Sequence, residues 1–239
     1  MNNLDLENRP QKFIEDDIKY FEYMDELEKM NFSAKDLMFN YPVFAGHVNM
    51  ARYMFFYDLY KKTLELNGNI ADVGTYKGAS FLYFAKMVKL FEPYNNTQVH
   101  GFDWFQGMKP SEFDDKNQNN KYVADYDLLK RLIKLQSLEN IAILNKIDLV
   151  NETDKFFEER PYIRFKMAFI DCGIKNVLEK VVPAFFERLV NGGILILDHY
   201  NDSASPSESA ILEKTIGNNL IKQMPFNRQP TAYIIKGER

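Results

Sequence analysis

The run Asn69-Ile-Ala-Asp-Val-Gly-Thr-Tyr-Lys-Gly-Ala-Ser80 limits the possible folds of this chain more than any other stretch. A short apolar segment leads into it, glycines stand at positions 74 and 78, and a helical pattern begins at Phe81. Gly74 lets the backbone turn tightly, and Gly78 lets a helix pack close against the strand. Strand, glycine turn and helix N-terminus in that order form a cradle for a nucleotide-like ligand.

The remainder of the chain keeps the same rhythm. Periodicity predicts strands over 70–73, 98–103, 141–145, 167–171 and 193–198, separated by helices over 79–91, 122–136, 152–159 and 174–190. Ile194 to Leu197 is continuously apolar, as expected of a strand covered on both faces, and Gly192-Gly193 reads as the turn feeding it. Strands alternating with helices predict a doubly wound α/β sheet, Rossmann-like and mostly parallel. After a helix over 207–217, segments 219–224 and 231–236 are joined by Pro225-Phe-Asn-Arg-Gln-Pro230, too short for a helical crossover. They predict a C-terminal antiparallel hairpin, which brings the sheet to seven strands.

Ahead of the sheet, Phe13, Ile14, Ile18, Phe21, Met24 and Leu27 mark an amphipathic helix over 11–31, with Glu15, Asp16 and Asp17 on its other face. Residues 40–49 read as a loop around Pro42 and Gly46, and a second helix spans about 49 to 66. Residues 1–66 are thus an N-terminal helical segment, a lid or a dimer element, and 67–239 a catalytic core within one domain. The polar stretch 106–121 breaks both periods and forms a long loop directly after the second strand.

Composition narrows the partners. The net charge is −4 without a lysine or arginine cluster, which argues against nucleic acid as the main partner. A single cysteine, Cys172, excludes an internal disulfide and makes a cytoplasmic location the default. The N-terminal residues carry acids and no apolar core, unlike a signal peptide, and no apolar run is long enough to span a membrane. A small polar molecule is the expected acceptor, and the amphipathic first helix suggests a homodimer.

The cradle has a cofactor preference. A dinucleotide fingerprint would place a third glycine at position 76, where this chain has Tyr76. Less room for a pyrophosphate favours S-adenosylmethionine, whose amino-acid end lies along such a turn. Asp72, Gly74, Thr75, Tyr76, Gly78 and Ser80 form this part of the expected site. Asp103, twenty-five residues after Gly78, is placed to accept from the two ribose hydroxyls, with Trp104, the only tryptophan, beside the adenine. Ile147 and Asp148 fall where an adenine edge would come.

Asp171 ends the fourth strand, and Asp198-His199-Tyr200 ends the fifth. In a parallel sheet both ends open into the same crevice, so two carboxylates and an imidazole converge beside the cofactor. Buried acids need a partner, which makes a metal ion or a hydroxyl substrate plausible. His100 lies within a strand and reads as structural, His47 as a residue able to close over a substrate, and Cys172 as packing.

These motifs together, from Ile70 to Ser80, Gly101 to Gly107, Phe169 to Cys172 and Gly192 to Tyr200, resemble class I S-adenosylmethionine-dependent methyltransferases. Within that class they are similar to the macrocin-type O-methyltransferases, which methylate sugar hydroxyls and depend on magnesium. The resemblance implies a seven-stranded sheet, S-adenosylmethionine, a sugar or nucleotide-linked sugar as acceptor, and a metal on Asp171, Asp198 and residue 199. Two departures stand out. The family shows Asp-x-Asp-Leu-Tyr where this chain has Asp171-Cys-Gly-Ile-Lys175, and Asp-Asp-Tyr where it has Asp198-His-Tyr200. Magnesium prefers oxygen donors, so His199 either shifts the preference towards manganese, iron or zinc or releases the site from metal.

Two mechanisms are open. With a metal, Asp171 and Asp198 hold an ion that lowers the acceptor's pKa. Without one, His199 is the general base and an aspartate orients its ring, with Lys175 a further candidate. N-methyl transfer, a related hydroxylase reaction, or a cofactor-binding protein without catalysis are the alternatives on the same fold.

Overall fold

The structure, a computed structural model, describes residues 11–238 apart from 115 and 204. The N-terminal residues on which the signal-peptide expectation rests lie outside this range. The elements are α1 (Ile14–Lys29), α2 (Ala34–Phe39), α3 (Tyr41–Phe44), α4 (His47–Lys62), β1 (Asn69–Val73), α5 (Ala79–Phe91), β2 (Val99–Asp103), α6 (Tyr126–Leu135), β3 (Ala142–Lys146), α7 (Thr153–Glu159), β4 (Phe165–Ile170), α8 (Lys175–Arg188), β5 (Leu189–Leu197), α9 (Ser207–Ile216) and β6 (Ala232–Ile235). Among the described residues, no helix is long and apolar enough to cross a membrane.

The strands form one sheet in the order β3-β2-β1-β4-β5-β6. The first five are parallel and β6 runs antiparallel to β5. The strand order reverses between β1 and β4, and a crevice opens beyond the C-terminal ends of strands at such a point. Both faces are covered. Ile70, Met167, Phe169, Ile194 and Ile196 pack with α4, α5 and α6, while Ala71, Val73, Ala168, Ile170, Leu195 and Leu197 pack with α7, α8 and α9. That alternation, with period two along each strand, carries on into the residues just beyond the strands.

The expected seventh strand is a correction. Segment 219–224 contributes an isolated antiparallel bridge, with Lys222 and Tyr233 exchanging backbone hydrogen bonds of 2.9 and 2.8 Å. Pro225 comes soon after; it has no N–H to give and restricts the residue before it, so the pairing does not extend. The glycine pair at 192–193 also differs from expectation, because it lies inside β5 and not before it. The register against β4 shifts there, from Phe165 opposite Leu189 to Met167 opposite Ile194. Extra residues in one strand make a bulge, and Gly192 takes it up at φ +79°.

The N-terminal segment is more helical than its pattern suggests. Ser33 caps α2 by accepting from the Asp36 N–H at 3.1 Å, and Pro42 sits in the first turn of α3. Helix α6 begins at Tyr126, four residues later than expected, because Asp125 accepts from the Leu128 N–H at 2.9 Å. In α1 the expected polar face is not all solvated: Asp17 is buried and pairs with Arg228, which also lies over the Phe13 ring.

Candidate active site

A cavity of about 670 Å³ opens at the reversal point of the sheet. Its wall includes Gly74, Tyr76, Asp103 and Trp104 on one side and Asp171, Asp198 and His199 on the other. Phe13 and Asp17 from the N-terminal segment, Met108, Pro110 and Asp114 from the long loop, and Arg228 and Gln229 also contribute to it. The volume falls within the range of about 300–1,000 Å³ usual for small-molecule sites.

The glycine turn is built as its sequence requires. Gly74 has φ +90°, and a Cβ there would stand 2.1 Å from the Asp171 carbonyl oxygen. Only glycine lets β1 and β4 approach this closely where the crevice begins. Gly78, at φ +85°, precedes α5, and a Cβ there would strike Leu129 of α6 at 2.6 Å. Tyr76 occupies the left-handed region at φ +48°, uncommon for a bulky residue. Its N–H donates to Asp103 Oδ2 at 2.8 Å, which holds the turn against the end of β2.

Asp103 accepts again at Oδ1, from the Phe105 N–H at 2.7 Å. Burial pushes its carboxyl above the ordinary value, and the backbone N–H groups pull it back. The carboxylate is therefore fixed in direction while keeping further lone pairs for a ligand. Trp104 donates its indole N–H to the Gly107 carbonyl at 2.6 Å, tying the start of the long loop to the cavity wall. Farther along, Asp114 Oδ1 accepts from the Lys175 N–H at 3.0 Å, so the loop reaches the start of α8.

Asp72 lies beneath the turn, buried, with neither carboxylate oxygen in a hydrogen bond of good geometry. Burial raises its pKa to about 7, although the Ser80 and Thr75 hydroxyls nearby act in the opposite direction. Thr75 itself donates to the Asp72 carbonyl at 3.0 Å. Asp72, Thr75, Gly78 and Ser80 thus shape the turn from below and do not line the cavity. Ile147 packs in the core against α7 and α8. Asp148 is engaged in its own turn, accepting from the Val150 N–H at 2.9 Å and the Asn151 side chain at 2.7 Å. Leu149, one residue on, is the member of that segment on the cavity wall. The glycine cradle with the fixed Asp103 carboxylate opposite suits a ligand that carries a ribose.

The second half of the site converges as expected. Ligand-capable atoms of Asp171, Asp198 and His199 all lie within 4.8 Å of one another. Asp198 is buried, and the Asp171 side chain is 33 % exposed towards the cavity. His199 Nδ1 stands 3.5 Å from Asp198 Oδ2, and His199 Nε2 is 2.9 Å from the Gln229 amide nitrogen. That amide also donates to Asp198 Oδ2 at 2.6 Å. Burial opposes charge on His199, but Asp198, Asp171, Glu208 and Asp202 together hold its pKa above the ordinary value. Burial, with Asp198 beside it, likewise raises Asp171, while Arg52 and His199 pull it down.

Three residues here escape sequence reasoning. Arg52 of α4 reaches both carboxylates, with Nη1 2.8 Å from Asp198 Oδ1 and Nη2 3.3 Å from Asp171 Oδ2. Gln229 comes from the segment before β6. Glu208, fully buried at the start of α9, accepts from the His199 N–H at 2.9 Å. Arg52 left one signal: it is a lone charge on the buried face of a helix, four residues before Phe56. Conversely, His47 is exposed and off the cavity wall and Lys175 stacks its ammonium over Phe113, while Cys172 lies on the wall with its Sγ 3.5 Å from the Val73 carbonyl oxygen.

A metal on this triad fits poorly. The donors are two carboxylate oxygens and an imidazole, less suited to magnesium than an all-oxygen set. The guanidinium of Arg52 already stands at both carboxylates, where a cation would bind.

The fold and the two-sided cavity define an α/β protein in which a glycine turn faces a cluster of two carboxylates and an imidazole. Residues 71–200 match the methyltransferase-domain family, to which the chain belongs, as an S-adenosylmethionine-dependent methyltransferase. No protein of curated function matches the sequence at a significant level. Among solved structures, the calicheamicin methyltransferase CalS11 aligns with 100 % of this chain and 99 % of its own, at 19 % identity and a TM-score of 0.84. An apo structure of CalS11, described as a TDP-rhamnose 3'-O-methyltransferase, covers 92 % of this chain and 95 % of its own, at 21 % identity and a TM-score of 0.77. The O-methyltransferase NovP covers 79 % of this chain and 80 % of its own, at 13 % identity and a TM-score of 0.64. At these identities the likeness is one of fold.

Proposed function

We propose that the protein methylates a hydroxyl group of a sugar or nucleotide-linked sugar. The observation that carries this reading is that one cavity joins the glycine turn and Asp103 to the Asp171–Asp198–His199 cluster. The sugar as acceptor is taken from CalS11, which shares the fold over the whole chain and is described as acting on TDP-rhamnose. A small acceptor also agrees with the acidic net charge and with the lining of the cavity by Phe13 and Asp17.

When bound, S-adenosylmethionine would supply a methyl carbon activated by a positively charged sulfur, with a neutral thioether as the leaving group. The protein has two remaining tasks. Gly74, Tyr76, Asp103 and Trp104 would hold the donor in one direction, and fixing both reactants contributes several kcal/mol to the barrier reduction. His199 takes the acceptor proton at Nε2, where Gln229 gives way to the hydroxyl. Asp198, on the Nδ1 side, stabilises the imidazolium that results.

The test is calorimetric titration of S-adenosylmethionine, followed by mass-spectrometric detection of methylated product from a panel of nucleotide sugars. His199→Ala is expected to keep cofactor affinity and lose turnover by about 10²–10⁴-fold, the usual contribution of a general base. Transfer to an amine, or cofactor binding with no transfer to any acceptor, would replace this reading with N-methylation or a binding role.

A further inference from the structure

We propose that Arg52 is the resident cation of the Asp171–Asp198 pair, and that this site works without a divalent metal. Its consequence for catalysis rests on the methyl-transfer reading; the occupancy of the pair does not.

Met167 and Phe169 of β4, and Ile194 and Ile196 of β5, face α4 and α5. Continued by two residues, the alternation turns Asp171 and Asp198 to the same side of the sheet. Helix α4 lies there and presents Arg52 one turn before Phe56. The guanidinium is clamped between two rings, 5.4 Å from the centroid of Phe56 and 5.3 Å from that of Phe169. Such stacking suits a planar guanidinium, which is more weakly hydrated than an ammonium. It meets one oxygen of each carboxylate with a different nitrogen. Gln229 takes the other Asp198 oxygen.

A divalent ion would need those same carboxylate oxygens. Binding it would mean bringing two more positive charges beside a guanidinium that cannot deprotonate. Moving Arg52 aside would strip both aromatic contacts and leave a charge to be solvated in a largely enclosed place. The ligand set is also short. Gly173 stands where a second aspartate would complete an Asp-x-Asp pair, and an imidazole comes after Asp198. Arg52 instead holds the two carboxylates together and, from the cavity wall, has further N–H groups able to fix an acceptor oxygen. It is a positioning residue, and proton removal stays with His199.

The decisive measurement is Mn²⁺ binding to the full-length protein, monitored by electron paramagnetic resonance, for the wild type and for Arg52→Met. Methionine keeps an apolar stem on the two rings and removes the charge. The wild type is expected to leave Mn²⁺ free, and Arg52→Met to bind one ion per chain at least about tenfold more tightly, as two carboxylates without a resident cation should. Adding Asp198→Asn to Arg52→Met should abolish the gain. Equal binding by wild type and Arg52→Met, whether both bind or neither does, overturns the proposal. If Arg52→Met does not fold, the wild type decides alone: Mn²⁺ binding that Asp171→Asn removes overturns it, and free Mn²⁺ together with methyl transfer unaffected by EDTA supports it. If no acceptor is methylated, the methyl-transfer reading fails while the comparison of wild type and variant still decides who holds the pair.

Discussion

Arg52 Nη1 lies 2.8 Å from Asp198 Oδ1, joining the first turns of α4 to the end of β5 across 146 positions of the chain. The contact brings the N-terminal segment to the candidate active site. Phe13 and Asp17 of the same segment reach the cavity wall, and Asp17 pairs with Arg228 from the segment that also carries Gln229. Ion pairs thus link the region before the sheet to the cavity at two places.

Gly74 should be intolerant of any side chain. In Gly74→Ala the methyl group would meet the Asp171 carbonyl oxygen at 2.1 Å, and φ +90° adds backbone strain. Neither neighbour is able to shift cheaply, since both continue paired strands of the sheet centre. We expect a loss of about 3 kcal/mol or more in urea unfolding, and no S-adenosylmethionine binding in whatever fraction folds. A variant with wild-type stability and affinity would show that the two backbones do not meet here.

Asp103→Ala should separate binding from folding. The carboxylate makes two hydrogen bonds to backbone N–H groups and is expected to accept two more from a ribose. Charge-assisted hydrogen bonds contribute about 1.5–3 kcal/mol each, so losing those to the ligand should weaken S-adenosylmethionine on the order of 100-fold or more. Calorimetry gives the affinity and thermal melting the fold. Undiminished affinity would remove Asp103 from the cofactor site.

How far the sequence could be read depends on whether a signal was local. Strand, glycine turn and helix lie within Asn69–Ser80, where each residue's role depends on its neighbours, so β1, the turn and α5 emerged within a residue of their places. Asp171, Asp198 and His199 were legible because a parallel sheet brings strand ends together whatever the crossovers contain. Arg52 and Gln229 were not, because their partners lie 146 and 31 positions away and nothing near them in sequence marks a ligand. The missing seventh strand shows the opposite error. Segment 219–224 has strand-like residues, but its pairing is set by Pro225 and by the single Lys222–Tyr233 exchange. Periodicity alone puts Asp17 on a solvated face, and a tertiary ion pair overrides it.

His100 should give the fold an acid-side weakness unrelated to catalysis. It is buried in β2 beside Phe102 and Phe165, with neither ring nitrogen hydrogen-bonded. Burial, with Arg160 adding to it, lowers its pKa from 6.5 to about 4. The folded state therefore refuses a proton that the unfolded chain accepts, and stability falls as pH drops from 6.5 towards 4. The shift corresponds to a loss of about 3 kcal/mol across that window. His100→Leu keeps an apolar side chain of similar reach and should flatten the slope of stability against pH there. An unchanged slope would mean that His100 accepts its proton in the folded state.

Glu208 should act at the other end of the pH scale. It is fully buried, accepts from the His199 N–H through Oε1, and leaves Oε2 without a partner among the described residues. Burial raises its pKa from 4.5 to about 8, against the pull of His199 and its N–H. The folded state thus holds a proton that the unfolded chain has released, so the protonated carboxyl supports folding most fully below 4.5. That support is lost as pH rises through 8, by at most about 5 kcal/mol. Glu208→Gln preserves an oxygen for the His199 N–H and cannot ionise. Its thermal midpoint should match the wild type near pH 4.5 and rise above it progressively towards pH 8. A variant less stable than the wild type at pH 8 would show that the ionised carboxylate is bound favourably by His199, and that the pair acts as one charged unit at the base of the site.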